Sequence, residues 1–216
     1  GATSIDEADP PRLGDVIMQR VERLDVRARR FLQAASALGE RCDLSALPEL
    51  CAPGDLEGFD TLLKQGLVRM RDGQVEIAHP FVRELVEASI PAEARKELHQ
   101  KALSYASQHG APLEVRAEHA FKAGEPMSAL LLLERMGDAA LSRGDSSSAV
   151  LAFRRGLDVA RRELMISGEV SLDRAIVTFS RKLGQALEAA TDLIGADGVL
   201  REALELVGPS HKERAK

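Results

Sequence analysis

Apolar positions recur at steps of three and four through most of the chain, the period of an amphipathic helix. From about Asp15 to Leu38 the series Val16, Ile17, Val21, Leu24, Ala28, Phe31, Leu32, Ala35 and Leu38 predicts helix, with a turn at Asp25 dividing it in two. Gly39 is placed to cap the second. A short helix follows, capped near Ser45, with Leu44, Leu47 and Leu50 on its apolar face. The next starts near Asp55, carries Leu56, Phe59, Leu62 and Leu63, and stops at Gly66. There the period changes to that of a strand. Leu67–Met70 and Gln74–Ile77 flank Arg71-Asp72-Gly73. Asp-Gly between short β-prone runs signals a hairpin, because a type I′ turn needs φ > 0 at both central residues. Three helices followed by a hairpin is the order of a winged helix. His79-Pro80 then opens a helix with Phe81, Val82, Leu85 and Val86 up to Ile90.

Beyond Pro91 the pattern is helical only. Helices are expected at 92–109, 113–123, 126–142, 146–164, 170–190 and 195–207. Pro80, Pro91, Pro112 and Pro126 each precede a periodic run, where the missing proline N–H has no intrahelical partner to lose. Short loops imply antiparallel neighbours.

This half also carries a weak repeat. Gly137, Ala149, Phe153 and Gly156 are spaced 12, 4 and 3 apart, and so are Gly184, Ala196, Leu200 and Ala203. Ala117, Ala129, Leu133 and Met136 fit the first two steps and, less well, the last. Tetratricopeptide (TPR) repeats set small and bulky residues at these spacings. The small residues let two helices approach, and the bulky one fills the gap to the next pair. Ala129 to Ala149 is 20 residues and Ala149 to Ala196 is 47, against about 34 in a standard repeat. Helix 126–142 therefore serves in two overlapping pairs, in an α-solenoid of about three helix pairs. An ordinary Ala-rich helical bundle is the alternative.

Composition supports helices over a β-sandwich. The 216 residues are 44% hydrophobic but 3% aromatic, with no Trp and one Tyr, so Ala and Leu supply the core. No apolar run approaches the roughly 18 residues of a membrane span; a cytoplasmic protein with no membrane partner is expected. Gly1-Ala2 ahead of a polar stretch looks like the remnant of a cleaved tag, so the chain is expected to be a segment of a longer protein. Net charge is −5, all of it in residues 1–92, where 16 Asp and Glu face 11 Lys and Arg. Neither half is basic. The helix expected to enter a DNA groove carries Asp55, Glu57 and Asp60 against Lys64, and would repel phosphate. Nucleic acid is not the expected partner.

Four segments, in order and spacing, resemble those of bacterial STAND ATPases (signal-transduction ATPases with numerous domains). Arg29-Arg30-Phe31-Leu32-Gln33-Ala34-Ala35-Ser36-Ala37-Leu38-Gly39 resembles their first winged-helix segment. Ile77-Ala78-His79-Pro80-Phe81-Val82-Arg83-Glu84 resembles the segment after the wing, and Arg95-Lys96-Glu97-Leu98-His99-Gln100-Lys101-Ala102 the helix that follows it. Glu118-His119-Ala120-Phe121-Lys122-Ala123-Gly124-Glu125 resembles the first TPR-like turn. The resemblance spans about residues 16–205 and includes large LuxR-type regulators and ATPase regions fused to kinases. It implies a nucleotide-binding domain, then a winged helix, then a TPR-like sensor, and it sets His79 on the nucleotide-sensing side of the switch. This chain has no G-x-x-x-x-G-K-[ST] loop and no kinase motif set, so ATP hydrolysis is not assigned to it.

Catalytic and metal centres are not expected. His79, His99, His109 and His119 stand 20, 10 and 10 residues apart, so no two occupy adjacent turns of one helix. Cys42 and Cys51 lack a nucleophile motif and read as structural thiols. The strongest candidate surface is the inner face of the solenoid, lined in TPR geometry by the first helix of each pair. That frame selects Glu114, Glu118, Phe121 and Lys122, then Glu134, Asp138, Leu141 and Ser142, then Arg181, Gln185 and Glu188. The first two sets are mainly acidic with two apolar anchors, which suits a basic peptide or protein segment.

The sequence therefore predicts an all-α chain with one small β-hairpin. Residues 1–15 form a linker, 16–91 a winged-helix-like domain, 92–208 a TPR-like α-solenoid and 209–216 a tail. The expected role is regulatory and non-catalytic, without cofactor or metal, through contact with a protein, a peptide or other domains of the parent chain. A DNA-binding regulator and a small-molecule sensor are the alternatives.

Overall fold

A computed structural model describes residues 13–167 and 171–206. Most of the expected linker and all of the expected tail lie outside those residues. The chain divides into two compact units, one ending at Tyr105 and one beginning at Ala106.

In the first unit, α1 (Leu13–Glu22) and α2 (Val26–Leu38) are separated where the sequence places a turn. Asp25 caps α2, its Oδ1 accepting the Ala28 N–H at 2.9 Å, a bond that satisfies one of the helix's free N-terminal donors. Ala28, Phe31, Leu32 and Ala35 of α2 are buried without remainder. α3 (Leu47–Leu50) and α4 (Gly58–Lys64) are both short, each preceded by a 3₁₀ turn. α4 crosses α2 so closely that a Cβ on Gly58 would overlap the Ala28 backbone. Phe59 then stacks on Phe31, ring centres 5.3 Å apart.

The hairpin forms as its turn chemistry requires. β2 (Val68–Arg71) and β3 (Gln74–Ile77) pair antiparallel around Asp72 and Gly73, which have φ of 53° and 80°. The expectation of a two-stranded hairpin needs one correction. β1 (Arg41–Asp43) adds to the free edge of β3, with Cys42 opposite Val75, so the sheet has three strands in the order β1-β3-β2. β1 contributes one buried side chain, Cys42, between two exposed ones. A strand so short gives no legible alternation.

α5 (Pro80–Ser89) starts at His79, whose Nδ1 accepts the Phe81 N–H at 3.1 Å. His79 thus acts as an N-cap. α6 (Ala92–Gln108) follows. Val82 and Val86 of α5 and Ala102 of α6 complete the core of this unit.

The second unit contains α7 (Leu113–Lys122), α8 (Pro126–Ser142), α9 (Ser146–Ser167), α10 (Ser171–Ala189) and α11 (Leu193–Leu206). Each packs on the next. The three connections among the described residues repeat one hydrogen-bonded cap. After α7, Gly124 N–H donates to Phe121 O and Glu125 N–H to Ala120 O. After α8, Gly144 donates to Leu141 O and Asp145 to Ala140 O; after α10, Thr191 donates to Glu188 O and Asp192 to Leu187 O. This Schellman-type cap needs a left-handed residue in the middle. Gly124 and Gly144 supply it at φ of 74° and 76°, but at α10 Thr191 is forced to 63°. A β-branched residue there is strained. Thr191→Gly is therefore expected to raise the unfolding free energy by about 1 kcal/mol, net of the added freedom of the unfolded chain. Thermal denaturation checks it; a lower melting temperature would show that the turn is held by something other than its backbone.

Candidate functional site

The geometry of the second unit is set by small residues facing rings. A Cβ on Gly137 of α8 would overlap the Phe153 ring of α9. One on Gly156 of α9 would overlap the Phe179 ring of α10, and one on Gly184 of α10 would meet Leu200 of α11 at 3.0 Å. Phe153 and Phe179 are themselves edge-on, 6.4 Å apart. The residues read from the repeat are thus the ones at the points of closest helix approach.

Ion pairs between helices two apart in sequence sort the helices into two layers. Glu118 of α7 pairs with Arg155 of α9, and Arg161 of α9 reaches Glu202 of α11 at 2.7 Å. The Arg162 guanidinium of α9 lies 4.4 Å over the Phe121 ring of α7. These contacts place α7, α9 and α11 in one layer. Lys182 of α10 binds Glu134 and Asp138 of α8 at 2.9 and 2.6 Å, which places α8 and α10 in the other. The Lys182 ammonium also lies 5.7 Å from the Phe153 ring centre, between the layers.

The eleven residues selected from sequence therefore fall into two groups. Glu134, Asp138, Leu141 and Ser142 of α8 share a layer with Arg181, Gln185 and Glu188 of α10. Glu114, Glu118, Phe121 and Lys122 of α7 stand in the α7–α9–α11 layer, across from Arg155 and Arg162. These contacts phase α7 with α9 and α11, and α8 with α10.

Several of these side chains already have partners. Burial works against ionisation of Glu118, but the hydrogen bond and charge of Arg155, with Lys122 at 3.4 Å, outweigh it and hold the carboxyl below its ordinary value. Burial likewise disfavours the Lys182 charge, and Asp138 and Glu134 together overcome it and raise the ammonium's pKa. Glu134 and Asp138 thus share one opposing charge within the fold. Arg181, Gln185 and Glu188 remain exposed, with a 3.4 Å hydrogen bond from Arg181 to Gln185. Sequence reasoning missed Lys182, Arg155 and Arg162, whose roles depend on the layer assignment. It also missed Leu131, one turn before Glu134 on the α8–α10 layer and 58% exposed. A large aliphatic on the polar side of α8 was the available signal.

Both arginines of the β2–β3 hairpin have an acidic neighbour: Arg69 lies 3.5 Å from Glu76, and Arg71 3.8 Å from Asp72. Among the described residues, no group of three His, Cys, Asp or Glu is arranged to hold a metal ion. No described helix is long and apolar enough to cross a membrane.

Two consequences are measurable. Gly137→Ala and Gly156→Ala should each cost about 1–3 kcal/mol, because a buried ring must be displaced; denaturant unfolding reads this, and a neutral result would remove the close approach as a determinant of the fold. The Glu118 pair is partly exposed and worth at most about 1 kcal/mol. Its folded carboxyl holds its proton less tightly than an unfolded one. Its contribution is therefore complete above the ordinary value of 4.5 and is lost as pH falls through the lower folded value. Glu118→Gln should flatten that part of the stability-against-pH curve, as acid titration of the melting temperature would show.

No family model matches the chain, and no curated protein matches it significantly. Its fold is similar to a crystal structure of a STAND protein with a tetratricopeptide repeat sensor from Pyrococcus horikoshii. The TM-score is 0.53 at 15% identity, over 93% of this chain and 34% of that one. The chain thus spans about a third of that protein's length. At this identity the likeness is one of fold, and with the glycine–ring contacts it identifies the second unit as a TPR-like helical solenoid.

Proposed function

We propose that the chain is a regulatory, non-catalytic segment of a larger cytoplasmic STAND-type ATPase, kinase or transcription regulator of bacterial type. In this reading residues 16–91 are a winged-helix-like module and 92–208 a TPR-like sensor that contacts a protein, a peptide or another domain of its parent. The solved structure it resembles is itself a STAND protein with a TPR sensor, and the four sequence segments point the same way.

The observation that carries the reading is the α8–α10 layer. It presents an exposed aliphatic, Leu131, on α8 and an exposed polar row, Arg181, Gln185 and Glu188, on α10. Helical solenoids use such extended surfaces for binding. Because Lys182 offsets one of the two charges of Glu134 and Asp138, a purely basic partner gains less here than the sequence implies. A mixed segment with an apolar anchor suits the surface better. The α7 set serves chiefly to tie α7 to α9. Arg69 and Arg71 of the hairpin each have an acidic neighbour, and α4 and the turn before it set Asp55, Glu57 and Asp60 against Lys64, which supports a protein-contact role for the first unit over DNA binding.

The test is capture of the partner by the chain and by its Leu131→Asp/Glu188→Arg double variant, with circular dichroism as the fold control. Both side chains are exposed, so the variant should melt as the parent does. Loss of a captured protein, with about a tenfold or greater drop in affinity for it, is expected. Equal capture by both proteins would remove this layer as the interface.

A further inference from the structure

The first unit contains a cleft of about 210 Å³ between α2, the end of α3 and α6. Arg30 and Gln33 of α2 form one wall, and Glu97 and Lys101 of α6 the other. Leu50, Cys51, Ile90 and Leu98 make an apolar floor. The volume is below the ~300–1,000 Å³ of sites for drug-sized ligands, so the space suits a small molecule or the end of a chain.

Its cations are not fully used by the fold. Lys101 has no ion-pair partner among the described residues, although Glu97 stands one turn earlier at the favoured spacing. Arg30 has Asp55 at 3.9 Å, the edge of ion-pair range. Asp55 is buried and also accepts the Ala52 N–H at 3.1 Å. Its carboxylate is therefore committed to the backbone as well, and steadies Arg30 from behind. Burial, then Asp55, push the Cys51 thiol up to about 11, while the Lys101 ammonium, which lines the same cleft, pulls the other way.

The α6 wall is fixed from its far side. His99 is 1% exposed, its Nε2 is 3.3 Å from Glu87 Oε1 on α5, and Glu87 in turn accepts from Arg83 at 3.2 Å. Ala102 sits in the core. The cleft is thus present before any ligand arrives.

We propose that this cleft binds an aliphatic carboxylate, independently of the solenoid surface described above. The carboxylate lies between Arg30 and Lys101 with the Gln33 amide as a further donor, and the alkyl group covers Leu50, Ile90, Leu98 and the Cys51 thiol. A free short-chain acid and the carboxylate terminus of a peptide share this chemistry.

Cys51 reports occupancy directly. Its alkylation by iodoacetamide, followed by peptide mass spectrometry, is measured in the presence of isovalerate, isoamyl alcohol, isoamylamine, and acetyl-Gly-Leu with a free or amidated end. Cys42 is buried and reports global opening. One of the acids is expected to slow Cys51 alkylation about tenfold without changing Cys42, while alcohol, amine and peptide amide do not. Protection by the free acid assigns the site to a small acid; protection by the peptide acid alone assigns it to a chain end. Arg30→Gln and Lys101→Gln should each raise the half-protecting concentration about tenfold. Absence of protection by both acids, equal protection by the alcohol, or unchanged protection in both variants would overturn the proposal.

Discussion

The second unit depends on a repeated steric constraint: a residue without a side chain must face a bulky one on the next helix. Gly137 admits the Phe153 ring and Gly156 admits the Phe179 ring, where even a Cβ would overlap. Because both rings are fully or nearly buried, the helices can neither separate without exposing them nor approach further. Each contact fixes one interhelical distance and hands the next helix its position. The chain of contacts then runs in order from α8 to α11, with Leu200 standing in for the ring at the last step. Such nearest-neighbour packing makes stability nearly a sum of local terms.

Electrostatics act on a geometry already made. Lys182 holds two carboxylates from α8, and Arg155 and Arg161 reach in opposite directions from α9 to α7 and α11. These side chains are partly exposed, so each pair contributes little to stability. Their larger effect is on the field of the surface. Seen as a list, Glu118, Glu134 and Asp138 describe an acidic groove. Seen with Arg155, Lys122 and Lys182, their partners within each layer, they describe a much less acidic surface.

Much of the fold was legible because its signals are local. The helix boundaries of the second unit follow from apolar periodicity, prolines at helix starts and glycines at φ near 75°. The Asp72-Gly73 turn follows from its own backbone requirement. β1 was not legible, since Arg41, Cys42 and Asp43 become a strand only when β3 offers an edge. The candidate surface was half legible for a related reason. The spacing 12, 4 and 3 identifies helices that pack as neighbours, but it fits both α7/α8 and α8/α9. Which helices share a layer is decided by contacts between α7 and α9 and between α8 and α10, and no spacing within one pair encodes them.

The layer assignment also changes what the polar residues mean. On α8, Glu134 and Asp138 are spaced to present charge to solvent, with Arg135 as the cation of their own helix. A further opposing charge comes from Lys182, 44 residues beyond Asp138 in the chain, its ammonium 5.7 Å from the Phe153 ring centre. A residue chosen for its charge thus becomes part of the framework, while Leu131, unremarkable by charge, is left exposed on the same helix. In a helical solenoid the binding character of a face follows from what the second-next helix leaves uncompensated. On the α8–α10 layer that remainder is one exposed leucine and a short polar row.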